Sequence, residues 1–195
     1  RPKSNGDACA LEEFESACHL DDHQIPGQAF VRIMRGCDNF CTYCVVPYVR
    51  GPEVSRPPAA IIEQIRRLSE HGAKQVTLLG QTVNSYHYAA GEKTYCLADI
   101  LEMASDIEGI EWIRFVTSYP SEEFFDHIIH AMASLPKVCK YLHMPAQSGS
   151  DKILKAMNRR HTAAQYLDLL DKARTAVPDI ALSGDFIVGF PGETD

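Results

Sequence analysis

Residues 30–48 read FVRIMRGCDNFCTYCVVPY, a short apolar run that passes directly into a loop with three cysteines. The apolar part, residues 30–34, has the length and composition of a buried β-strand. Cys37, Cys41 and Cys44 follow it with the spacing C-x3-C-x2-C, among glycine, aspartate and asparagine. Free cysteines that serve only as core residues seldom gather in so polar a loop, so the three thiols are candidate ligands of one metal centre.

Further apolar runs repeat the strand pattern towards the C-terminus, with helical stretches between them. The predicted strands are residues 30–34, 75–79, 112–116, 141–144 and 180–188. The predicted helices are one that begins at Pro57-Pro58 and is capped by Gly72, and residues 97–107, 122–134, 150–157 and 163–176. Strand followed by helix, repeated along the chain, predicts an α/β fold, a partial parallel (βα) barrel with about five strands.

The composition is that of one globular domain of 195 residues, 45% hydrophobic and 23% charged. No apolar window is long enough for a membrane helix and no signal peptide is recognisable, so we expect a soluble cytoplasmic protein. Seven cysteines, an odd number, favour reduced thiols over a secreted disulfide framework. The net charge of −7 offers no global attraction to nucleic acid, so an RNA contact must be local or belong to another domain.

The two ends of the chain suggest a fragment of a longer polypeptide. Residues 1–29 show no sustained period and are expected to form a linker or an extended arm before a core of residues 30–195. Residues 191–195 resemble the entry to a helix that does not follow, so the core is expected to be cut at about its fifth strand. The outer edge of the strand at 180–188 would then lack a partner, and we expect it to fray or to self-associate.

The cysteine loop leaves a choice of metal. A structural zinc usually takes four protein ligands in two separated pairs, and the loop offers three cysteines without an obvious fourth ligand. An iron–sulfur cubane with one iron free of protein ligands fits this spacing better. A non-enzymatic zinc-binding module stays open as an alternative at this point.

The loop, with Tyr43 just before its last cysteine, resembles that of the radical S-adenosylmethionine superfamily. In that superfamily three cysteines hold a 4Fe–4S cluster, and the remaining iron is chelated by S-adenosylmethionine. One electron then cleaves the sulfonium to methionine and a 5'-deoxyadenosyl radical, which abstracts hydrogen from the substrate. The resemblance implies a radical enzyme with both cofactors, in which Cys37, Cys41 and Cys44 are the cluster ligands.

Longer blocks are similar to the methylthiotransferases, and most closely to their MiaB-type branch. The blocks are residues 33–48, 50–51, 54–57, 78–86, 143–150 and 185–194. That branch adds a methylthio group at C2 of N6-isopentenyladenosine next to the tRNA anticodon. Other branches modify a ribosomal-protein aspartate or threonylcarbamoyladenosine in tRNA, and these remain alternatives. The implied partners are a tRNA anticodon stem-loop and an electron donor such as a flavodoxin.

The family pattern also includes an N-terminal domain with three more cysteines for an auxiliary cluster and a C-terminal TRAM domain for RNA binding. Neither is recognisable in this sequence, and Cys9 and Cys18 do not match the N-terminal domain, so they receive no cluster role. We therefore expect this chain alone to cleave S-adenosylmethionine slowly and not to methylthiolate tRNA.

The resemblance implies a second set of residues, located after later strands, that contact S-adenosylmethionine. The set is Gly80, Gln81, Gln147, Ser148, Ile187 and Gly189. In the family the first pair meets the methionine amino group, the second pair the ribose or the methionine carboxylate, and the third pair adenine. A simple turn, a helix cap and core packing, respectively, are the alternative explanations.

Other residues are weaker candidates. Asn84 and Tyr86 are placed to face a substrate, and Cys96 and Cys139 are expected to be ordinary thiols. Four arginines after the cysteine loop are candidate phosphate contacts, although a solvated helix face is the better explanation of the last two. They are Arg50, Arg56, Arg66 and Arg67.

Overall fold

The computed structural model describes residues 27–116 and 118–194. Most of the predicted arm, residues 1–26, lies outside these residues, together with Cys9 and Cys18. The last two residues assigned to the arm, Gln28 and Ala29, already belong to the first strand. Within the described part, no helix combines the length and the apolar character needed to cross a bilayer.

The described chain alternates strands and helices. The elements are β1 (Gln28–Arg32), β2 (Met34–Arg35), α1 (Val46–Arg50), β3 (Val54–Ser55), α2 (Pro58–Glu70), β4 (Gln75–Leu79), a 3-10 turn (Val83–Ser85), β5 (His87–Ala90), β6 (Lys93–Cys96), α3 (Leu97–Ser105), β7 (Trp112–Phe115), α4 (Glu122–Ser134), β8 (Tyr141–His143), α5 (Asp151–Ala156), α6 (Ala163–Ala176) and β9 (Ala181–Ser183).

Five of these strands run parallel. β4 pairs with β1 on one side and with β7 on the other, and β8 pairs with β9. The two groups meet through the parallel bridge between Ile113 and Val138, where the Cys139 amide donates to the Ile113 carbonyl at 2.9 Å. The strand order is therefore β1-β4-β7-β8-β9, which confirms the predicted α/β fold with a parallel sheet and intervening helices.

The helices cover one face of the sheet and form the core with it. α2 shows why: Pro58 begins its first turn, Ile61, Ile65 and Leu68 are buried on one face, and Gly72 follows its end with φ +96°. Alternate residues of the strands point into the same core because successive strand side chains lie on opposite faces. Those residues include Val31, Val76, Leu78, Ile113 and Leu142.

The prediction of one continuous strand at residues 180–188 was wrong. β9 ends at Ser183, and beyond it only Phe186 forms a bridge, to Gln147. The ladder is irregular beside it: the Met144 and Gln147 amides donate to the Ser183 and Asp185 carbonyls, both at 2.8 Å, so a step of three residues on one segment matches a step of two on the other. Gln147 has a left-handed φ of +72°, which breaks the regular strand there. The apolar run after β9 is consequently not core, since Phe186 is 62% and Val188 85% exposed.

The sequence did not reveal two small antiparallel pairs and one short helix. β2 pairs with β3, and β5 pairs with β6. α1 follows the cysteine loop directly, with Pro47 in its first turn. The β2–β3 pair brings residues 51–55 back against the start of the cysteine loop, and so shapes the candidate site.

Candidate functional site

The cysteine loop leaves the first strand region at the end of the sheet where the parallel strands have their carboxyl ends. Cys37 and Cys41 are buried and Cys44 is half-buried, and all three are free thiols. Gly36 begins the loop with φ +77°, and a Cβ built on it would lie 1.9 Å from the Pro52 carbonyl oxygen. Only glycine permits this close approach, which lets the Cys37 amide donate to the Gly51 carbonyl at 3.2 Å.

Hydrogen-bond donors surround two of the sulfurs. Asn39 Nδ2 donates to Cys37 Sγ at 3.3 Å, and Thr82 Oγ1 lies 3.5 Å from the same sulfur. Arg159 Nη1 donates to Cys41 Sγ at 3.8 Å. A sulfur that binds a metal carries negative charge, and neighbouring donors and a cation offset that charge. The donor set therefore fits a soft metal centre.

The spacing of the thiols matters for the kind of centre. Among residues 27–116 and 118–194, no three His, Cys, Asp or Glu side chains stand close enough together to hold one metal ion. In an iron–sulfur cubane each thiolate binds a different iron, so its ligands surround a cluster and do not converge on a point. The three buried or half-buried thiols of one loop fit the cluster better than a single tetrahedral zinc.

Gly80 and Gln81 lie directly after β4 and are tied to the cysteine loop. Gln81 Oε1 accepts a hydrogen bond of 2.7 Å from the Gly36 amide. A Cβ on Gly80 would lie 2.6 Å from Met34 Cγ, so its lack of a side chain makes room for Met34 of β2. The structure thus brings both predicted positions to the cysteine loop and gives each a packing role there.

Gln147 and Ser148 follow β8. Gln147 has φ +72°, and its carbonyl accepts from the Ile187 amide at 2.9 Å. Ser148 is buried, and its Oγ accepts from the Ser150 amide at 3.1 Å, an arrangement that orders the approach to α5. Ser148 does not cap α5, because the N-cap residue is Ser150 and no side chain caps the helix. The bond from Ser150 makes Ser148 part of an ordinary loop turn before the helix.

Ile187 and Gly189 lie on the segment after β9. Ile187 is half-buried, and its amide joins it to Gln147 of the neighbouring segment. Gly189 has φ +72°, and its amide donates to Glu193 Oε2 at 2.6 Å, so the chain turns here. The second and third predicted pairs are consequently side by side at the same end of the sheet.

Asn84 and Tyr86 are buried, which contradicts their interpretation as substrate-facing residues. Asn84 exchanges two hydrogen bonds with the backbone of Tyr119, at 2.7 and 2.8 Å. The Tyr86 hydroxyl donates to the Arg56 carbonyl at 2.7 Å, and burial raises the pKa of this phenol. Both residues hold loops in place because a buried polar group needs a partner.

The four arginines after the cysteine loop differ in their surroundings. Arg56 is 1% exposed, and its Nη1 donates to the Arg32 carbonyl and to Gln64 Oε1, so it cannot reach a phosphate. Arg66 and Arg67 both pair with Glu63 on the exposed face of α2, which supports the solvated-face explanation. Arg50, in the last turn of α1, remains exposed.

Sequence reasoning missed Arg159. Its guanidinium stacks over the Tyr119 ring at 4.1 Å, and Nη2 donates to the Pro145 carbonyl at 2.9 Å while Nη1 reaches Cys41. The sequence carries only a weak signal for this role. Asn158 and Arg159 directly follow a predicted helix, which indicates a helix end. Nothing in that pattern points to Cys41, which lies 118 positions earlier.

The face of the sheet opposite the helices carries polar side chains. His143 Nε2 lies 3.1 Å from Asp185 Oδ2, and the Tyr141 hydroxyl lies 2.8 Å from Ser183 Oγ. Arg114 of β7 stacks on the Tyr141 ring at 4.9 Å. A sheet face with these polar side chains is suited to a polar ligand, whose own donors and acceptors can pair with them.

A parallel α/β sheet with three free thiols in the loop after its first strand belongs to the class of α/β proteins that carry their site beyond the carboxyl ends of the strands, here with ligands suited to a soft metal. Residues 31–195 match the family model described as the radical SAM superfamily. The chain belongs to the radical SAM superfamily, as its cysteine loop predicted.

Two named relatives indicate the branch of the superfamily that this chain resembles. The chain is 53% identical over 168 residues to the tRNA-2-methylthio-N(6)-dimethylallyladenosine synthase of Thermoanaerobacter sp. (strain X514), covering 86% of this chain and 35% of the relative. It is 51% identical over 188 residues to the protein of the same name from Ectopseudomonas mendocina (strain ymp), covering 95% of this chain and 42% of the relative. The resemblance to MiaB-type methylthiotransferases is thus confirmed, and the chain spans less than half the length of these relatives.

Solved structures agree on the fold. The radical S-adenosylmethionine methyltransferase TsrM from Kitasatospora setae, with cobalamin and a [4Fe-4S] cluster bound, matches with a TM-score of 0.66 at 16% identity, over 87% of this chain and 32% of that one. The cobalamin-dependent S-adenosylmethionine radical enzyme OxsB matches with a TM-score of 0.62 at 18% identity, over 84% of this chain and 24% of that one. At these identities the likeness concerns the fold alone.

Proposed function

We propose that this chain is the radical core of a tRNA methylthiotransferase that modifies N6-isopentenyladenosine next to the anticodon. The observation that carries the proposal is the cysteine loop at the carboxyl end of the parallel sheet, in a chain about 50% identical to proteins named tRNA-2-methylthio-N(6)-dimethylallyladenosine synthase. Because the chain covers only part of those relatives, the complete reaction, its tRNA substrate and a cytoplasmic location belong to the proposal.

Cys37, Cys41 and Cys44 are the proposed ligands of a 4Fe–4S cluster. When bound, the cluster supplies the electron that cleaves the sulfonium of S-adenosylmethionine. The protein contributes the setting: Asn39 and Thr82 lie against the Cys37 sulfur, and Arg159 against that of Cys41. These contacts fix the positions of the two sulfurs.

The proposed S-adenosylmethionine contacts are the three pairs that follow β4, β8 and β9. Their support is convergence, since ligands of parallel α/β sheets bind beyond the carboxyl ends of the strands. Gln81 joins the cysteine loop through Gly36, and Gln147 joins the segment of Ile187. Gly80, Ser148 and Gly189 complete the set, each with a structural role of its own that a bound cofactor does not exclude.

The proposed substrate site is the polar sheet face that carries Arg114, Tyr141 and the His143–Asp185 pair. Such side chains are suited to a nucleoside, whose edges offer donors and acceptors and whose ring stacks on aromatic groups. Arg50 is the exposed arginine of α1 that remains a candidate phosphate contact. A one-electron donor such as a flavodoxin is the second proposed partner.

The cluster assignment predicts a sharp difference between cysteines. After anaerobic reconstitution with iron and sulfide, we expect about four irons per wild-type chain, and loss of stable iron in Cys41→Ala because one of three protein bonds to the cluster is removed. Cys139→Ala is the matched control, since Cys139 is a half-buried free thiol outside the loop. Iron and sulfide analysis with the visible spectrum provides the measurement. Full iron content in Cys41→Ala would refute the assignment.

The substrate assignment needs a separate comparison. Reconstituted chain is incubated with S-adenosylmethionine, a reductant and synthetic anticodon stem-loops that carry either isopentenyladenosine or threonylcarbamoyladenosine. We expect the isopentenyl stem-loop alone to change the rate of 5'-deoxyadenosine formation. A response only to the threonylcarbamoyl stem-loop would place the chain in the other tRNA branch.

A further inference from the structure

The C-terminal end of α5 forms a tight turn that contacts the cysteine loop. α5 stops at Ala156, and the chain then adopts a left-handed conformation at Asn158, with φ +58°. The Asn158 amide donates to the Lys155 carbonyl at 3.1 Å, and the Arg159 amide donates to the Leu154 carbonyl at 2.8 Å. This pair of bonds is a Schellman motif, in which asparagine is accepted at the left-handed position. We refer to residues 156–159 as the α5 turn.

The α5 turn grips the cysteine loop through Thr42. The Thr42 amide donates to the Met157 carbonyl at 3.1 Å, and the Thr42 hydroxyl donates to the Ala156 carbonyl at 3.1 Å. Both acceptors are terminal carbonyls of the helix, which have no partner within it. Thr42 thus provides hydrogen-bond donors for two carbonyls at the helix end, and these carbonyls in turn hold the middle of the cysteine loop in place.

Asn158 acts on the least favourable backbone position of the loop. Phe40 has φ +50°, a conformation that costs free energy for any residue with a Cβ and persists only when its surroundings enforce it. Asn158 Nδ2 donates to the Asn39 carbonyl at 3.2 Å and to the Phe40 carbonyl at 2.9 Å. These carbonyls belong to the two peptide planes on either side of the Phe40 Cα. Their orientations define φ and ψ of Phe40, so one amide group fixes both.

Packing alone does not explain the conformation of Phe40. Its side chain is 51% exposed and meets the ring of Tyr48, itself 78% exposed, edge to face at 6.0 Å. An exposed ring pair contributes little burial to enforce a left-handed backbone. The double hydrogen bond from Asn158 is the stronger constraint, and Phe40 stands directly before Cys41.

We propose that Asn158 is a positioning residue for the metal centre: its side-chain amide locks Phe40 and thereby sets the direction of the Cys41 thiol. The inference rests on the proposed cluster function for its consequence, although the contacts themselves belong to the protein alone. Arg159 completes the arrangement, because the same turn brings its guanidinium to Cys41 Sγ.

The test separates the Asn158 side chain from its backbone. Asn158→Gly keeps the left-handed turn, which glycine favours at this position, and removes the amide. Asn158→Asp keeps the shape and removes the donor. Lys155→Ala is the control, since Lys155 is exposed and joins the turn through its backbone. In protein without metal, we expect the Thr42 and Cys44 amides to exchange hydrogen at least about fivefold faster in both Asn158 variants than in wild type or Lys155→Ala.

A second measurement follows the metal centre. After reconstitution, both Asn158 variants should lose iron to a chelator several-fold faster than wild type, with unchanged melting temperature of the metal-free protein. Equal exchange of the loop amides would overturn the inference, and faster exchange with equal iron loss would overturn the positioning role. If wild type takes up no cluster, the proposed function fails, and the exchange comparison still decides whether Asn158 holds the loop.

Discussion

His161 is the buried ionisable side chain with the most unusual surroundings in the described part of the chain. It is 6% exposed, and neither ring nitrogen has a hydrogen-bond partner there. The rings of Tyr119 and Tyr166 lie 6.0 and 6.1 Å away. Burial, helped by the nearby Arg159 guanidinium, lowers the pKa of His161 to about 4, although the Ala146 backbone and Asp151 oppose the shift. The folded protein therefore holds a neutral imidazole.

This makes stability depend on pH in a defined direction. Between the unfolded pKa of 6.5 and the folded value of about 4, the unfolded chain binds the proton first, so stability falls as the pH is lowered through this window. The loss at pH 4 is on the order of 3 kcal/mol. Urea unfolding of wild type and His161→Phe at pH 7 and pH 4.5 measures it. The variant should lose less stability than wild type on acidification, and equal losses would contradict the assignment.

At the scale of elements, the β2–β3 pair and the cysteine loop form one unit through Gly36. A methyl group on Gly36 would meet the Pro52 carbonyl at 1.9 Å, and its φ of +77° is unfavourable for alanine. Gly36→Ala should therefore lower the free energy of unfolding by about 2–5 kcal/mol, the sum of a left-handed residue and an overpacked contact.

Gly72→Ala is the matched control for this variant. Gly72 also has a positive φ, of +96°, but an added Cβ there meets nothing within 4 Å. The free energy of unfolding of Gly72→Ala should therefore fall only by the cost of a left-handed alanine backbone, about 1–2 kcal/mol. Urea denaturation of the metal-free proteins compares the two. Equal losses of unfolding free energy in the two variants would show that the cysteine loop can move to accommodate the added methyl group. The close contact between Gly36 and Pro52 would then not constrain the loop.

The elements show what the sequence reveals and what it hides. β4, α4 and α6 were predicted with their observed bounds, because local periodicity and local caps define them. The prediction of a continuous strand at 180–188 was wrong because the neighbouring segment turns irregular at Gln147, which has a left-handed φ of +72°. Asn84 and Arg159 were misjudged or missed for the same reason: their partners, Tyr119 and Cys41, lie far away in sequence. Local patterns carry no information about such partners.

At the scale of the molecule, the parallel sheet is asymmetric. β4 lies between β1 and β7, whereas β9 pairs with β8 and, within the described residues, with no strand on its other side. A parallel strand normally has helices on its faces and neighbours on both edges. Within the described residues β1 also has a strand on one side only, but β9 has three residues against five in β1, so β9 is the weaker edge of the sheet. The segment that follows it also carries three of the residues assigned to ligand binding or to the polar face, which are Asp185, Ile187 and Gly189. Local opening there would therefore weaken the proposed cofactor site before the rest of the fold.

Hydrogen exchange tests this edge directly. Phe186 and Val188 are largely exposed. Between them, the Ile187 amide donates a hydrogen bond to the Gln147 carbonyl of the segment that follows β8. In a monomeric preparation, the Phe186 and Val188 amides should exchange much faster than those of Val76 and Leu78 in β4, with the Ile187 amide between them. The order follows from opening free energy, which is smallest where few hydrogen bonds and little apolar burial must be broken together. Equal protection of Val188 and Val76 would mean that another part of the chain, or a second copy, covers this edge.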